Sequence, residues 1–277
     1  MPGIPDLLRT KETCSFEFLP PRNQEQADSL PRTIGELAAA THPDFISVTQ
    51  GAAGSLATQR LAIDLSDRFP FPTMAHLTCV GHTHQGMLDL LGTYHEGGVR
   101  NVLALRGDGD ASGDFEYAVD LVELIKSLPY GMSVGVAAHP EVHPLSPDRQ
   151  QDRRRLAQKL RVADFAITQF FFDAALYRQL VDEMAGQGCD KPIIPGIMLF
   201  SSVNGLRRVA EMNGTTIPAG LNQQLDRISS SADLSRLAVD TAASLIDDLR
   251  RDGVPGLHIY TMNRSGPAIE LTKLISY

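Results

Sequence analysis

Eight short apolar runs recur at a nearly constant spacing, and that rhythm restricts the fold more than any other feature of the chain. They are CSFEF (14–18), DFISVTQ (44–50), TMAHLTC (73–79), NVLALRGD (101–108), SVGVAAH (133–139), FAITQFFF (165–172), IIPGIML (193–199) and GLHIYTMN (256–263). The first seven begin 28 to 32 residues apart, and the eighth follows after 63. A strand with its crossover helix occupies about 30 residues. Each regular interval therefore holds one βα unit, and the long one holds an extra helix or two. Stretches such as VLAL and VGVAA are apolar at consecutive positions, as in parallel strands covered by helices. Between the runs the period changes to about 3.6. SLATQRLAIDLSDRF (55–69), FEYAVDLVELIKSL (115–128) and the segments 174–187, 203–212, 232–252 and 266–275 predict helices. Eight such units predict an α/β fold, a (β/α)8 TIM barrel spanning 1–277 as a single catalytic domain. The length of 277 residues suits that count, since such barrels take about 250.

The competing architecture, an open doubly wound sheet, usually carries G-x-G-x-x-G after its first strand. Here CSFEF is followed by LPPRNQ, and neither GAAGS (51–55) nor GDGDASG (107–113) has the spacing of that motif or of a P-loop. The balance of 25 Lys and Arg against 33 Asp and Glu gives a net charge of −8. Nucleic acid and anionic membranes need clustered basic charge, so neither is expected as a partner. Cys14, Cys79 and Cys189 are widely spaced and form no C-x-x-C pair, which predicts reduced thiols. No apolar run approaches the roughly 18 residues of a membrane span. The N-terminal MPGIPDLLRTKET lacks a basic region followed by an apolar one. The expectation is a soluble, cytoplasmic protein.

In a barrel of this kind the chemistry sits at the C-terminal ends of the strands. Those positions carry Glu17, Thr49, Gln50, His76, Thr78, Arg106, Asp108, His139, Glu141, His143, Gln169, Tyr260, Asn263 and Arg264. So many polar residues converging on one face predict a ligand pocket. Glu17, flanked by Phe16, Phe18 and Leu19, is expected to be desolvated, with its pKa raised into the range of a general acid. A core Glu paired with Arg106 or another cation is the other reading. In Arg106-Gly107-Asp108 a glycine between opposite charges lets the backbone approach a ligand, or the segment is a loop ion pair. HPEVHP (139–144) has two histidines four apart, but Pro140 and Pro144 prevent the helix that would aim both at a metal, so no metal is expected. The run DRRRLAQK (152–159) is either a solvated helix face or a phosphate contact.

Eight motifs, in order, together resemble one family. They are SFEFLPPR (15–22), DFISVTQGAAGS (44–55), AHLTCVGH (75–82), NVLALRGD (101–108), AAHPEVHP (137–144), AITQFFFD (166–173), IIPGIM (193–198) and HIYTMNR (258–264). They look like the methylenetetrahydrofolate reductases, FAD-dependent barrels, and the match covers essentially the whole chain. The resemblance implies interconversion of 5,10-methylenetetrahydrofolate and 5-methyltetrahydrofolate, with NAD(P)H reducing FAD and folate then exchanging a hydride with the flavin. Glu17 then matches the general acid that opens the methylene bridge to an iminium ion, and Asp108 the carboxylate that stabilises that cation and tunes the flavin. Gln169 matches an amide that binds the pterin. Thr49, His76, Arg106, Gly107, Asp108, Tyr117, Ala118, Ala137, His139, His143, Asp152, Arg155, Lys159 and Ile167 match positions around FAD. Gln223, Tyr260 and Arg264 fall where folate or nicotinamide is contacted. The family also implies a homo-oligomer, dimer or tetramer.

The chain departs from the family pattern at several places. His139 stands where a tyrosine is common, and Arg155 and Gln158 replace the usual polar and basic pair, although Arg153, Arg154 and Arg155 keep the segment basic. Leu225, in IPAGLNQQLD, replaces an aromatic that stacks on nicotinamide dinucleotide or folate. Two other readings of the same residues are a related flavin barrel that oxidises another amine such as proline, and a homologue with weak NAD(P)H use that oxidises 5-methyltetrahydrofolate. A non-catalytic folate-binding barrel is disfavoured because Glu17, Asp108 and Gln169 are all present.

Overall fold

A computed structural model describes residues 3–21, 23–50, 55–107 and 113–275. The strands are β1 (Thr13–Phe18), β2 (Phe45–Val48), β3 (Thr73–Thr78), β4 (Asn101–Leu105), β5 (Ser133–Ala138), β6 (Phe165–Thr168), β7 (Ile193–Ile194), β8 (Gly196–Met198) and β9 (Gly256–Tyr260). All pair in parallel, in the order β7-β6-β5-β4-β3-β2-β1-β9-β8. The two ends of that order, β7 and β8, are one passage of chain interrupted at Pro195. Proline has no N–H for the ladder, while its carbonyl accepts from His258 N at 3.0 Å. With that passage counted once, the sheet closes into the eight-stranded (β/α)8 barrel.

Helices follow the strands. They are α1 (Ile4–Thr10), α2 (Gln24–Thr41), α3 (Ser55–Arg68), α4 (His84–Glu96), α5 (Ala118–Ser127), α6 (Arg149–Val162), α7 (Ala174–Ala185), α8 (Val203–Asn213), α9 (Ala219–Arg227), α10 (Ser231–Arg251) and α11 (Ser265–Ile275). Side-chain oxygens of Thr83, Asp148, Asp173, Ser202 and Ser230 accept from first-turn amides of α4, α6, α7, α8 and α10, fixing where each begins. The long interval before β9 holds three helices, α8 to α10. They surround a separate apolar cluster of Phe170, Phe200, Leu206, Ala210, Leu221, Leu225, Leu234 and Ala238.

Strand residues alternate between barrel and helix layer. Phe16, Phe18, Ile46, Val48, Ala75, Leu77, Val102, Ala104, Val134, Val136, Leu257 and Ile259 lie in the main core beneath the helices. Each large side chain buried there contributes about 1.5–3 kcal/mol. The intervening residues fill the interior. Glu17 pairs in register with Ser47 and Tyr260, Ser15 with Phe45 and His258, and His76 with Leu103. Part of the interior is apolar, built from Phe45, Met74, Leu103, Phe165, Ile167 and Ile194. Beside it lie Ser15, Ser47, His76 and His258, all buried, with Phe45 stacked on the His258 ring. At the N-terminal end α1 plugs the barrel: Ile4 is buried, and its N–H donates to Asn101 Oδ1 at 3.2 Å.

Candidate active site

Glu17 is the penultimate residue of β1, so its carboxyl enters the barrel near the C-terminal mouth. Its Oε2 lies 3.3 Å from His76 Nε2 and 3.4 Å from His258 Nε2. Only the second contact has hydrogen-bond geometry. The loop after β9 fixes this strand end. Thr261 Oγ1 donates to the Glu17 carbonyl at 2.6 Å, and the Asn263 amide pairs with Leu19 through both its oxygen (2.8 Å) and its nitrogen (2.9 Å).

The apolar neighbours of Glu17 in sequence are not its neighbours in space. Phe16 and Phe18 point into the helix layer, because successive residues of a strand face opposite ways. Burial still pushes the Glu17 carboxyl up. It is outweighed by the charge of His76 and the hydrogen bond of His258, which hold the carboxyl at about 2. The expectation that flanking phenylalanines keep Glu17 protonated is therefore corrected. Arg106 is not the structural partner either; the two histidines are.

His258, absent from the sequence-derived candidates, is fully buried. Burial lowers its pKa, against the pull of Glu17. Its Nδ1 lies 2.8 Å from Ser15 Oγ, and its Nε2 lies 3.3 Å from Ser47 Oγ as well as facing Glu17. The signal was available in GLHIY: His258 and Tyr260 share the strand face that Leu257 and Ile259 do not. Tyr260 crosses the His258 ring edge-on at 5.4 Å and donates its hydroxyl to the Thr168 carbonyl at 2.6 Å. Gly196 permits this, since a Cβ there would lie 2.6 Å from the Tyr260 ring.

A second group lines the mouth beyond β4, β5 and β6. Lys159 Nζ donates to the Ala137 carbonyl at 2.7 Å, and burial lowers its pKa to about 8 despite nearby Asp152. His143 lies edge-on to His139 at 4.5 Å. Burial lowers the His143 pKa, and the charges of Lys159, Arg106 and Arg155 lower it further, against Asp152. His139 is pushed to about 3 by burial, then by His143 and Lys159. Arg155 lies 5.8 Å from the centre of the exposed Tyr117 ring, just ahead of Ala118 at the start of α5. Gly107 has φ +89, and a Cβ would meet Thr78 Cβ at 2.9 Å, so only glycine fits this turn without strain. Thr49 Oγ1 donates to the Phe18 carbonyl at 3.3 Å, and Ile167 is buried in the inner apolar cluster.

One sequence expectation changes here. Arg153 is a buried strut, not a phosphate contact. Its guanidinium donates to the carbonyls of His139 (2.9 Å), Pro140 (2.8 Å) and Glu141 (3.0 Å), and to Glu183 and Asp152. Asp152 is largely engaged inward, accepting from His143 N at 3.2 Å and Ser146 Oγ at 3.1 Å. Leu225 is buried among α8, α9 and α10, so it offers no open stacking platform. Glu141 in HPEVHP accepts from Thr216 N and Oγ1, tying the loop after β5 to the α8–α9 connection. Gln169 accepts from Phe170 N at 3.2 Å. Gln223 and Arg264 are exposed. Asp108 lies outside the described residues.

Cations Arg106, Arg155 and Lys159 around histidines whose pKa values are lowered, beside the Gly107 turn, offer the positive charge that a dinucleotide pyrophosphate requires. The donor set thus fits FAD.

The comparisons with known proteins agree with this geometry. A profile described as methylenetetrahydrofolate reductase matches residues 4–275. The 5,10-methylenetetrahydrofolate reductase of Escherichia coli (strain K12) is 37% identical over 257 residues, covering 91% of this chain and 86% of that protein. Methylenetetrahydrofolate reductase (NADH) 1 of Arabidopsis thaliana is 32% identical over 278 residues, covering 92% of this chain and 47% of that longer protein. Among solved structures, an uncharacterized protein from Clostridium thermocellum that binds two copies of 5-methyl-5,6,7,8-tetrahydrofolic acid aligns with a TM-score of 0.70. Its identity is 14%, and the alignment covers 97% of this chain and 96% of that one, a likeness of fold.

Proposed function

The chain belongs to the methylenetetrahydrofolate reductase family, and from that premise we propose that it interconverts 5,10-methylenetetrahydrofolate and 5-methyltetrahydrofolate as an FAD-dependent oxidoreductase. The observation that carries this reading is the buried Glu17 carboxyl at the barrel mouth, held between His76 and His258 at 3.3 and 3.4 Å.

Hydride transfer between NAD(P)H and folate is the chemistry that bound FAD would supply. Arg106, Arg155 and Lys159 would hold its pyrophosphate, and Tyr117, Ala118, His139, His143 and Asp152 would border it on the same wall. Thr49, His76, Gly107, Ala137 and Ile167 line the barrel side. Gln169 binds the pterin amide edge. Tyr260 presents its ring, because its hydroxyl is committed to Thr168, and exposed Gln223 and Arg264 reach the outer part of the folate.

Opening the methylene bridge requires a proton on the departing nitrogen; Glu17, ionised beside His76 and His258 in the ligand-free protein, is the group assigned to deliver it, taking up that proton when bound ligand desolvates the site further. A positioned acid of this kind contributes about 10²–10⁴-fold. Asp108 balances the positive charge of the iminium ion. Residues 1–277 act as one catalytic domain in a cytoplasmic homo-oligomer, which sedimentation measures directly.

The test is purification with and without added FAD, followed by anaerobic mixing of the reduced protein with methylenetetrahydrofolate or with proline-derived imine. The reading predicts visible flavin absorbance and reoxidation by the folate alone. A protein that cannot take up FAD, or a reduced protein that the folate leaves unchanged, overturns it.

A further inference from the structure

Just beyond Glu17, strand β1 loses its neighbour on one side. Glu17 is in register with Tyr260, the last residue of β9, after which β9 turns away. Phe18 and Leu19 then have no β9 strand to pair with, and Pro20 and Pro21, which follow, bring no N–H to a ladder. Two side chains of the turn after β9 fill the gap. Thr261 Oγ1 donates to the Glu17 carbonyl at 2.6 Å and accepts from Asn263 N–H at 3.1 Å. Asn263 Oδ1 accepts from Leu19 N–H at 2.8 Å, and its Nδ2 donates to the Leu19 carbonyl at 2.9 Å. Backbone N–H groups only donate and carbonyls only accept, so the backbone itself fixes the direction of all four bonds and the orientation of the amide. The Asn263 side chain bonds Leu19 as a peptide group of a neighbouring strand would.

The turn that presents this amide has an uncommon conformation. Met262 and Asn263 have φ of +52 and +58, in the left-handed region that asparagine tolerates and a bulky methionine avoids. Met262 is exposed, so its own burial does not account for the conformation. Residues of this kind persist only where their surroundings over-determine them, and they cluster at active sites. Here the surroundings are the Thr261 and Leu19 hydrogen bonds, with Arg264 N–H donating to the Thr261 carbonyl at 3.1 Å.

We propose that Asn263 is a positioning residue for the folate half of the reaction: its amide takes the place of the missing strand partner of Leu19 and holds the end of β1 so that the Glu17 carboxyl meets the folate nitrogen. This rests on the reading of Glu17 as the acid. The carboxyl lies 3.3 Å from His76 Nε2 on β3 and 3.4 Å from His258 Nε2 on β9. A shift of β1 by about 1 Å would break those contacts, and a misplacement of that size can cost about 10²-fold in rate.

The experiment compares the full chain with Asn263→Gly, since glycine keeps the left-handed turn without strain and only the amide is lost. The ¹³C carboxyl signal of Glu17, identified by its disappearance in Glu17→Gln, is recorded alongside anaerobic stopped-flow of both half-reactions. The Glu17 signal should move while those of other glutamates stay in place. Flavin reduction by NADH or NADPH should hold within a few fold, while reoxidation at saturating methylenetetrahydrofolate should slow about ten- to a hundredfold. Asn263→Asp, which keeps the acceptor for Leu19 N–H and loses only the donor, should show a smaller loss in the same step, and serves if the glycine variant does not fold. An unmoved Glu17 signal, an unchanged folate step, or equal loss in both half-reactions overturns the proposal. If the wild type never reacts with folate, the enzymatic reading fails, and the Glu17 signal still decides whether Asn263 holds the carboxyl: a shift supports it and no shift overturns it.

Discussion

Lys159 is the residue whose ionisation the fold moves within reach of ordinary pH. Burial lowers its pKa from 10.5 to about 8, while an anionic ligand nearby favours the charged form. FAD affinity should therefore be highest below pH ~8 and fall as pH rises through it. Fluorescence titration of FAD across that range checks this, and Lys159→Met should bind more weakly with the pH dependence flattened. The ligand-free protein shows the opposite sign. Between about 8 and 10.5 the folded lysine has released a proton that the unfolded one keeps, so stability rises with pH in that window. Glu17 shows what could be read from single residues and what could not. Its importance was legible, because a carboxyl within an apolar strand demands a partner. Its protonation state was not, because Phe16 and Phe18 turn away and the controlling groups, His76 and His258, come from strands distant in sequence.

At the scale of elements, all eight apolar runs became barrel strands, since parallel burial requires continuous hydrophobicity. The predicted runs extend past several strand ends, as at Thr49, Gln50 and Gln169, where polar residues already belong to the mouth. Helix α2 lacked a clear stripe because its first half is polar and contains Pro31. Helices α1 and α9 are too short for periodicity to stand out. The role of Arg153 also depended on tertiary structure: a basic run on a helix reads as solvated, yet its first arginine ties α6 to the loop carrying His139. Arg153→Met should remove bonds to three carbonyls and leave Asp152 and Glu183 short of a buried partner. About 3–5 kcal/mol of stability should be lost, measured by denaturant unfolding, together with weakened FAD binding. Arg153→Lys should rescue little, since one ammonium cannot reproduce the guanidinium fork.

For the whole molecule, an acidic chain with net charge −8 gathers its cations Arg106, Arg155 and Lys159 on one wall of the mouth. Glu17 sits with His76 and His258 on β1, β3 and β9. On the proposed function these groups serve two tasks, holding an anionic cofactor and delivering a proton, so a change in one should leave the other nearly intact. The measurement that tests this most directly is anaerobic stopped-flow of Glu17→Gln beside the wild type, with flavin reduction by NADH or NADPH and flavin reoxidation by methylenetetrahydrofolate followed separately. The account predicts that reduction is preserved within a few fold, while reoxidation falls by about 10²–10⁴. Equal loss in both steps, or reoxidation at the wild-type rate, would contradict it.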